Sequence, residues 1–103
     1  NIYPNNVENA IYEHPDVAEV LVIGVPDDYR GQTVKAFVTM KPGTAPLTLE
    51  ELRAFLAERV GRYELPTALE LRGELPRSAA GKLLRRVLED EEKGGAAAAL
   101  KEA

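Results

Sequence analysis

The sequence predicts a small α+β domain: a three-stranded mixed sheet in two layers, with helices packed mainly on one face. Three observations carry this expectation. Residues 17–25 are β-branched and apolar, and residues 33–40 follow after a short turn, which favours an antiparallel pair. A well-signed helix begins at Thr48. A third alternating run, residues 68–72, comes after that helix, a crossover long enough for the second and third strands to lie parallel.

Taken in order, Asn5 followed by Glu8 has capping-box spacing and predicts a first helix, with Val7, Ala10 and Ile11 on its inner face. Pro15 ends it, and His14 at that stop reads as a helix-end residue bonding a nearby carbonyl. The unbroken apolar stretch 20–25 predicts a strand covered on both faces. Residues 26–31 form a turn in which Gly31 supplies a positive φ. The second strand alternates Val34, Ala36 and Val38 against Lys35, Phe37 and Thr39, and residues 41–46 are a loop. In the second helix Thr48 is the N-cap and Glu51 its capping-box partner, with Leu47 and Leu52 placed as a hydrophobic staple. Its stripe is Leu49, Leu52, Phe55, Leu56 and Val60, and Gly61 is the expected C-cap. A last helix is expected from about Gly81 to Glu92, with Leu84, Val87 and Leu88 facing inward and Gly94-Gly95 ending it. The domain is then 1–93, followed by an Ala-rich tail, 94–103, weakly helical or disordered.

Composition narrows the function. A chain of 103 residues makes one domain, and 45% hydrophobic with 29% charged residues is ordinary globular composition. Thirteen basic against seventeen acidic residues give a net charge of −4, which excludes nucleic acid as the expected partner. The absence of cysteine excludes disulfides, thiolate metal sites and cysteine nucleophiles, and a single histidine excludes multi-histidine metal sites, so no metal ligands are expected. No apolar run approaches the roughly 20 residues of a membrane span, and no basic-then-apolar leader opens the chain. The expectation is a cytoplasmic domain. Its first residue is Asn rather than Met, as expected of a piece of a longer protein or a processed product.

Chemistry concentrates in Leu75-Pro-Arg-Ser-Ala-Ala-Gly-Lys82-Leu-Leu-Arg-Arg86. Small residues deliver a lysine at the mouth of a helix, where free N–H groups favour an anion. Gly81 permits close approach of a ligand, and Lys82 is a compact cation suited to a phosphate or carboxylate. It is not a P-loop, because Pro76 stands where a glycine is needed and Leu83 replaces the Mg²⁺-holding hydroxyl. Arg77, Arg85 and Arg86 thicken the patch. Read blandly, Arg85 with Glu89 and Arg86 with Asp90 are ordinary i,i+4 surface pairs. No paired-carboxylate site or nucleotide cradle is visible, so the lysine reads as part of a site completed elsewhere.

Four blocks in order resemble the C-terminal domain of the AMP-forming acyl-adenylate superfamily, which includes acyl-CoA synthetases, luciferases and peptide-synthetase adenylation domains. They are Asn1-Ile-Tyr-Pro-Asn-Asn-Val-Glu8, His14-Pro-Asp-Val17 with residues 20–27, residues 31–38, and the Lys82 block, similar to the family's LPRT-x-x-GK-x-x-RR. The Lys-x-x-Arg-Arg pattern of 82–86 looks more like acyl-CoA ligases than peptide-synthetase adenylation domains, and the resemblance as a whole is greatest to a fatty-acid–CoA ligase. The resemblance implies that Lys82 is the adenylation lysine, reaching the substrate carboxylate and the α-phosphate, with Gly81, Arg77, Arg85 and Arg86 near the substrates. It further implies ATP, Mg²⁺ and CoA in the full-length enzyme, none of them bound to this piece alone, and a small carboxylic acid substrate. The N-terminal adenylation domain of the same polypeptide would be its partner, and the domain would rotate between half-reactions and be inactive by itself. Acetylation of Lys82 would block adenylation more than thioester formation. Tyr63-Glu-Leu-Pro66 departs from the family's frequent Tyr-Lys-x-Pro, and Ala80 from a frequent Ser or Asn. The reading of the residues without the resemblance is a free-standing α+β module binding an anionic ligand or a protein partner at residues 77–86.

Overall fold

The computed structural model describes residues 3–102, with side chains described for residues 3–93. Helix α1 (Pro4–Tyr12) leads into strand β1 (Val17–Asp27), which pairs antiparallel with β2 (Gly31–Met40). Helix α2 (Leu49–Leu56) and a 3-10 turn (Arg62–Glu64) cross over to β3 (Pro66–Leu71), parallel to β2. The sheet order is β1-β2-β3, a mixed three-stranded sheet with β2 in the centre. Helix α3 (Arg85–Glu102) closes the chain. The expected α+β class, strand directions and crossover are all present.

The apolar run in β1 is covered on both faces, as its continuity predicts. One face packs Val20, Val22, Val34, Ala36 and Val38 against α1 and α2, through Val7, Ile11, Leu52 and Leu56. The other packs Leu21, Ile23 and Phe37 against Leu75 and Leu88, so the segment 75–88 and the start of α3 form its lid. Leu83 packs half-buried against this second cluster, while Val87, expected inside, is 37% exposed.

Several local expectations are corrected. Asn5 is not an N-cap: Tyr3 holds that place without a side-chain cap, because Pro4, whose ring fixes a helical φ and which has no N–H to satisfy, occupies the first turn. The Glu8 carboxylate turns to the sheet instead and accepts from Val22 N–H at 2.8 Å. His14 accepts through Nδ1 from Asp16 N–H at 3.1 Å rather than donating to a carbonyl, and its ring meets Phe55 edge-on. Strand β1 runs on through Pro26 and Asp27, so only the tip of the expected turn is irregular; Gly31 has φ +81° as expected. The Thr48–Glu51 capping box of α2 is fully formed. Helix α2 nevertheless stops at Leu56, where Arg59 and Val60 N–H both donate to the Leu56 carbonyl, and Gly61 heads the 3-10 turn instead of capping α2. Helix α3 begins at Arg85, not Gly81, and continues through Gly94-Gly95; four alanines, the best helix former, follow that glycine pair. The side chains of 94–103 lie outside the described residues.

A charge network locks α3 to the sheet. Lys35 on β2 pairs with Glu70 on β3 at 3.3 Å and with Glu92 on α3, and Arg72 pairs with Glu70 at 2.6 Å and Glu91 at 2.7 Å. Both cations also lie over the Phe37 ring. Burial lowers the Lys35 pKa, but hydrogen bonds to Glu92 and Glu70 outweigh this and hold it above the ordinary lysine value. Burial likewise pushes Glu70 up, and the hydrogen bonds from Arg72 and Lys35 overcome it, leaving the carboxyl below its usual range.

Candidate functional site: a lysine on a braced hairpin

Residues 76–84 are a hairpin, not a helix mouth. Leu84 N–H donates to the Pro76 carbonyl at 2.9 Å, Arg77 and Leu83 form an antiparallel bridge, and Ser78 N–H donates to the Lys82 carbonyl at 2.8 Å. Gly81 N–H reaches back to the Ser78 carbonyl at 2.9 Å, and Gly81 has φ +86°. This is the geometry of a turn followed by a left-handed residue that restores strand register, a place glycine fills without strain. Its glycine is therefore demanded by the turn itself. An added Cβ would meet no atom within 4 Å, so the constraint is torsional, not steric crowding.

The sequence of the hairpin alternates in and out. Leu75 is buried and Leu83 half-buried against the sheet, while Lys82 between Gly81 and Leu83 is exposed. Lys82 N–H donates to Ser78 Oγ at 3.2 Å, so the N–H groups of Gly81 and Lys82 are both engaged within the loop. The expected anion site at free helix N–H groups is thereby corrected: Lys82 precedes α3, and what it offers is its side chain. Its ammonium has no ion-pair partner among the described residues.

The arginines divide. Arg77 donates to the Gly81 carbonyl at 3.1 Å and pairs with Glu19 on β1, so it braces the hairpin from within and to the sheet. Arg85 Nε donates to the Val22 carbonyl at 3.0 Å, and its Nη2 reaches both Glu8 carboxylate oxygens at 2.8 and 2.7 Å and Asn5 Oδ1 at 3.2 Å. Neither the Arg85–Glu89 nor the Arg86–Asp90 pair is among the ion pairs of the described residues. Arg86 is exposed. Arg77 and Arg85 thus serve the frame, and Lys82 with Arg86 remain the outward cations of the motif.

Glu8, Glu19 and Asn5 are the residues that sequence reasoning missed here. Glu8 was legible only as a helix residue, and nothing local marks a partner 77 positions away. Pattern offers one signal: an acidic residue at an inner-face position of α1, next to Val7, is out of place unless it meets a cation. Among the described residues no group of His, Asp or Glu is arranged to hold a metal ion, and no helix is long and apolar enough to cross a membrane.

Comparison with known proteins points one way. The family model for the AMP-binding enzyme C-terminal domain matches residues 6–82. A long-chain-fatty-acid–CoA ligase of Bacillus subtilis is 55% identical over 92 residues, covering 89% of this chain and 16% of that protein. The crystal structure of a Brucella canis acyl-CoA synthetase superposes with a TM-score of 0.83 at 35% identity, covering 89% of this chain and 17% of the other. The o-succinylbenzoate CoA synthetase of Bacillus subtilis, solved with its acyl-adenylate intermediate, gives 0.77 at 36% identity, covering 85% and 18%. The chain spans about a sixth of the length of the curated relatives it matches.

Proposed function

Because the chain belongs to the AMP-binding enzyme C-terminal domain family, we propose that it is the mobile lid of an ATP-dependent, AMP-forming fatty-acid–CoA ligase. The observation that carries this reading is Lys82. It is an outward cation on a hairpin whose only other charge, Arg77, is held by Glu19.

In the first half-reaction a carboxylate oxygen of the acid attacks the α-phosphorus of ATP. The bond from that phosphorus to the bridging oxygen breaks, pyrophosphate leaves, and acyl-AMP forms. Two anions must approach each other while charge develops on phosphorus, so a fixed cation at that point lowers the barrier. A preorganised contact of this kind is worth roughly a hundred- to a thousandfold in rate. Lys82 supplies it, Gly81 holds the turn that aims it, and Arg86 is the next outward cation along the motif. Mg²⁺ arrives with the nucleotide phosphates.

In the second half-reaction the thiol of CoA attacks the acyl carbonyl, loses its proton to solvent, and releases AMP. The acid and nucleotide pockets belong to the N-terminal domain of the same polypeptide, so this chain alone is inactive. Rotation of the lid withdraws Lys82 and admits the thiol, a gating step rather than a source of chemistry. The whole enzyme works in the cytoplasm. Family membership disfavours the free-standing anion-binding module, and so does the pairing of Arg77 and Arg85 with carboxylates, which removes half of that module's cations.

The test is pyrophosphate release from ATP by the full-length protein with palmitate, with and without the segment corresponding to residues 1–103. Release that requires both the acid and this segment supports the reading. No acid-dependent release by the full-length protein, or undiminished turnover without the segment, overturns it.

A further inference from the structure

We infer that Glu8 and Arg85 form a positioning couple for Lys82, tying the hairpin to α1 and to the outer edge of β1; this rests on the reading of Lys82 given above. Strand β1 is an edge strand, so Val22 has its N–H and C=O turned away from β2. Glu8 accepts from that N–H at 2.8 Å and Arg85 donates to that C=O at 3.0 Å, while the two side chains bond each other at 2.7 Å. The result is a closed ring of carboxylate, guanidinium and the backbone of one residue, Val22. The Glu8 side chain is only 11% exposed and Arg85 32%, so the carboxylate is largely withdrawn from water while the guanidinium reaches the surface.

Arg85 is the first residue of α3 and directly follows Leu84, whose N–H closes the hairpin on Pro76. Fixing Arg85 therefore fixes the C-terminal foot of the loop, as the Arg77–Glu19 pair fixes the other. Between these feet the path to Lys82 is set by the Ser78–Lys82 and Arg77–Leu83 contacts, and the lysine's backbone has little freedom left. Catalytic placement is sensitive to this: a shift of about 1 Å at a reacting group can cost a hundredfold.

The ring also has a direction. Exchanged, the two side chains could not make these bonds: a guanidinium has no acceptor for the Val22 N–H, and an ionised carboxylate has no donor for the Val22 C=O. Lysine in place of Arg85 keeps the charge and loses the fork.

In the full-length enzyme, acid-dependent pyrophosphate release and thioester formation from supplied acyl-adenylate would be measured for Glu8→Gln, Arg85→Lys, Lys82→Ala and the Glu8→Gln/Lys82→Ala double variant. The expected result for Glu8→Gln is a ten- to hundredfold loss in kcat for adenylation, with KM for ATP and acid and the thioester step within about twofold. In the Lys82→Ala background the same change is expected to remove nothing more, because Glu8 acts through that lysine. Should Glu8→Gln fail to fold, Arg85→Lys carries the same readings. Equal loss in both half-reactions, no loss, or a loss that multiplies with Lys82→Ala overturns the positioning role. So does recovery of adenylation in the charge-reversed Glu8→Arg/Arg85→Glu protein. If Lys82→Ala itself leaves adenylation intact, it is the proposed function that falls, and the couple reduces to a brace of the fold.

Discussion

Gly81 and Gly43 share a backbone state, φ +86° and φ +80°, and neither would bring an added Cβ near another atom. Alanine at either position therefore meets the same torsional cost, about 1–2 kcal/mol, detectable by urea denaturation of this chain. The two part company in function. In the full-length enzyme Gly81→Ala is expected to lower adenylation, because it distorts the turn that aims Lys82, while Gly43→Ala in the loop after β2 leaves adenylation near wild type. Equal effects on activity would deny the hairpin its aiming role. The outward lysine and the special backbone of the glycine before it were legible from the sequence because both lie in one short motif, although that motif is a hairpin and not the expected helix mouth. The roles of Arg77 and Arg85 were not, since each is decided by a carboxylate far along the chain, Glu19 at 58 positions and Glu8 at 77.

Two helix starts with the same spacing signal behave differently, and the difference is physical. At α2 the Thr48 hydroxyl accepts from Glu51 N–H at 3.1 Å, and Glu51 accepts in return from Thr48 N–H at 3.0 Å. Nothing nearby competes for either group. Thr48→Ala should cost about 1 kcal/mol of stability, measured by denaturant unfolding, and no change in midpoint would contradict the cap. At α1 the capping box fails, since Pro4 already occupies the first turn and Val22 with Arg85 draw Glu8 away. Apolar patterning placed the three strands, because burial sets a strand's pattern through its own residues, and the lengths of the connections indicated their directions. The start of α3 was misplaced by four residues because a hairpin and a first helical turn both welcome small residues, and only the Leu83 and Leu75 packing decides between them. Truncating Leu52, fully buried between α2 and the sheet, to alanine should cost about 2–5 kcal/mol in the same assay.

At the scale of the molecule, one face of the sheet is closed by α1 and α2 and the other by the Lys82 hairpin and α3, so the hairpin proposed to carry the chemistry is also half of the core's roof. The Lys35–Glu70–Arg72 network pins that roof at its far end, and its charges set a pH dependence. The Glu70 carboxyl lies below its usual range in the folded chain, and Glu51 does too through its hydrogen bonds with Thr48. Their stabilisation is present above the ordinary carboxylate pKa and is lost as pH falls through the folded values. Lys35 is held above its ordinary value, so its share is intact at neutral pH and is lost as pH rises through the folded value. Denaturation midpoints measured from pH 7 down to pH 3 should fall, and fall less for Glu70→Gln; an identical slope for the variant would show that Glu70 has no linkage to folding.

The central claim is that this lid brings one cation to one half-reaction and withdraws it from the other. Its most direct test is Lys82→Ala in the full-length enzyme, comparing the rate of acid-dependent pyrophosphate release with the rate of thioester formation from supplied acyl-adenylate. The account predicts a roughly hundred- to thousandfold fall in the first and a thioester rate within about twofold of wild type. A comparable fall in both, or survival of the first, would contradict it.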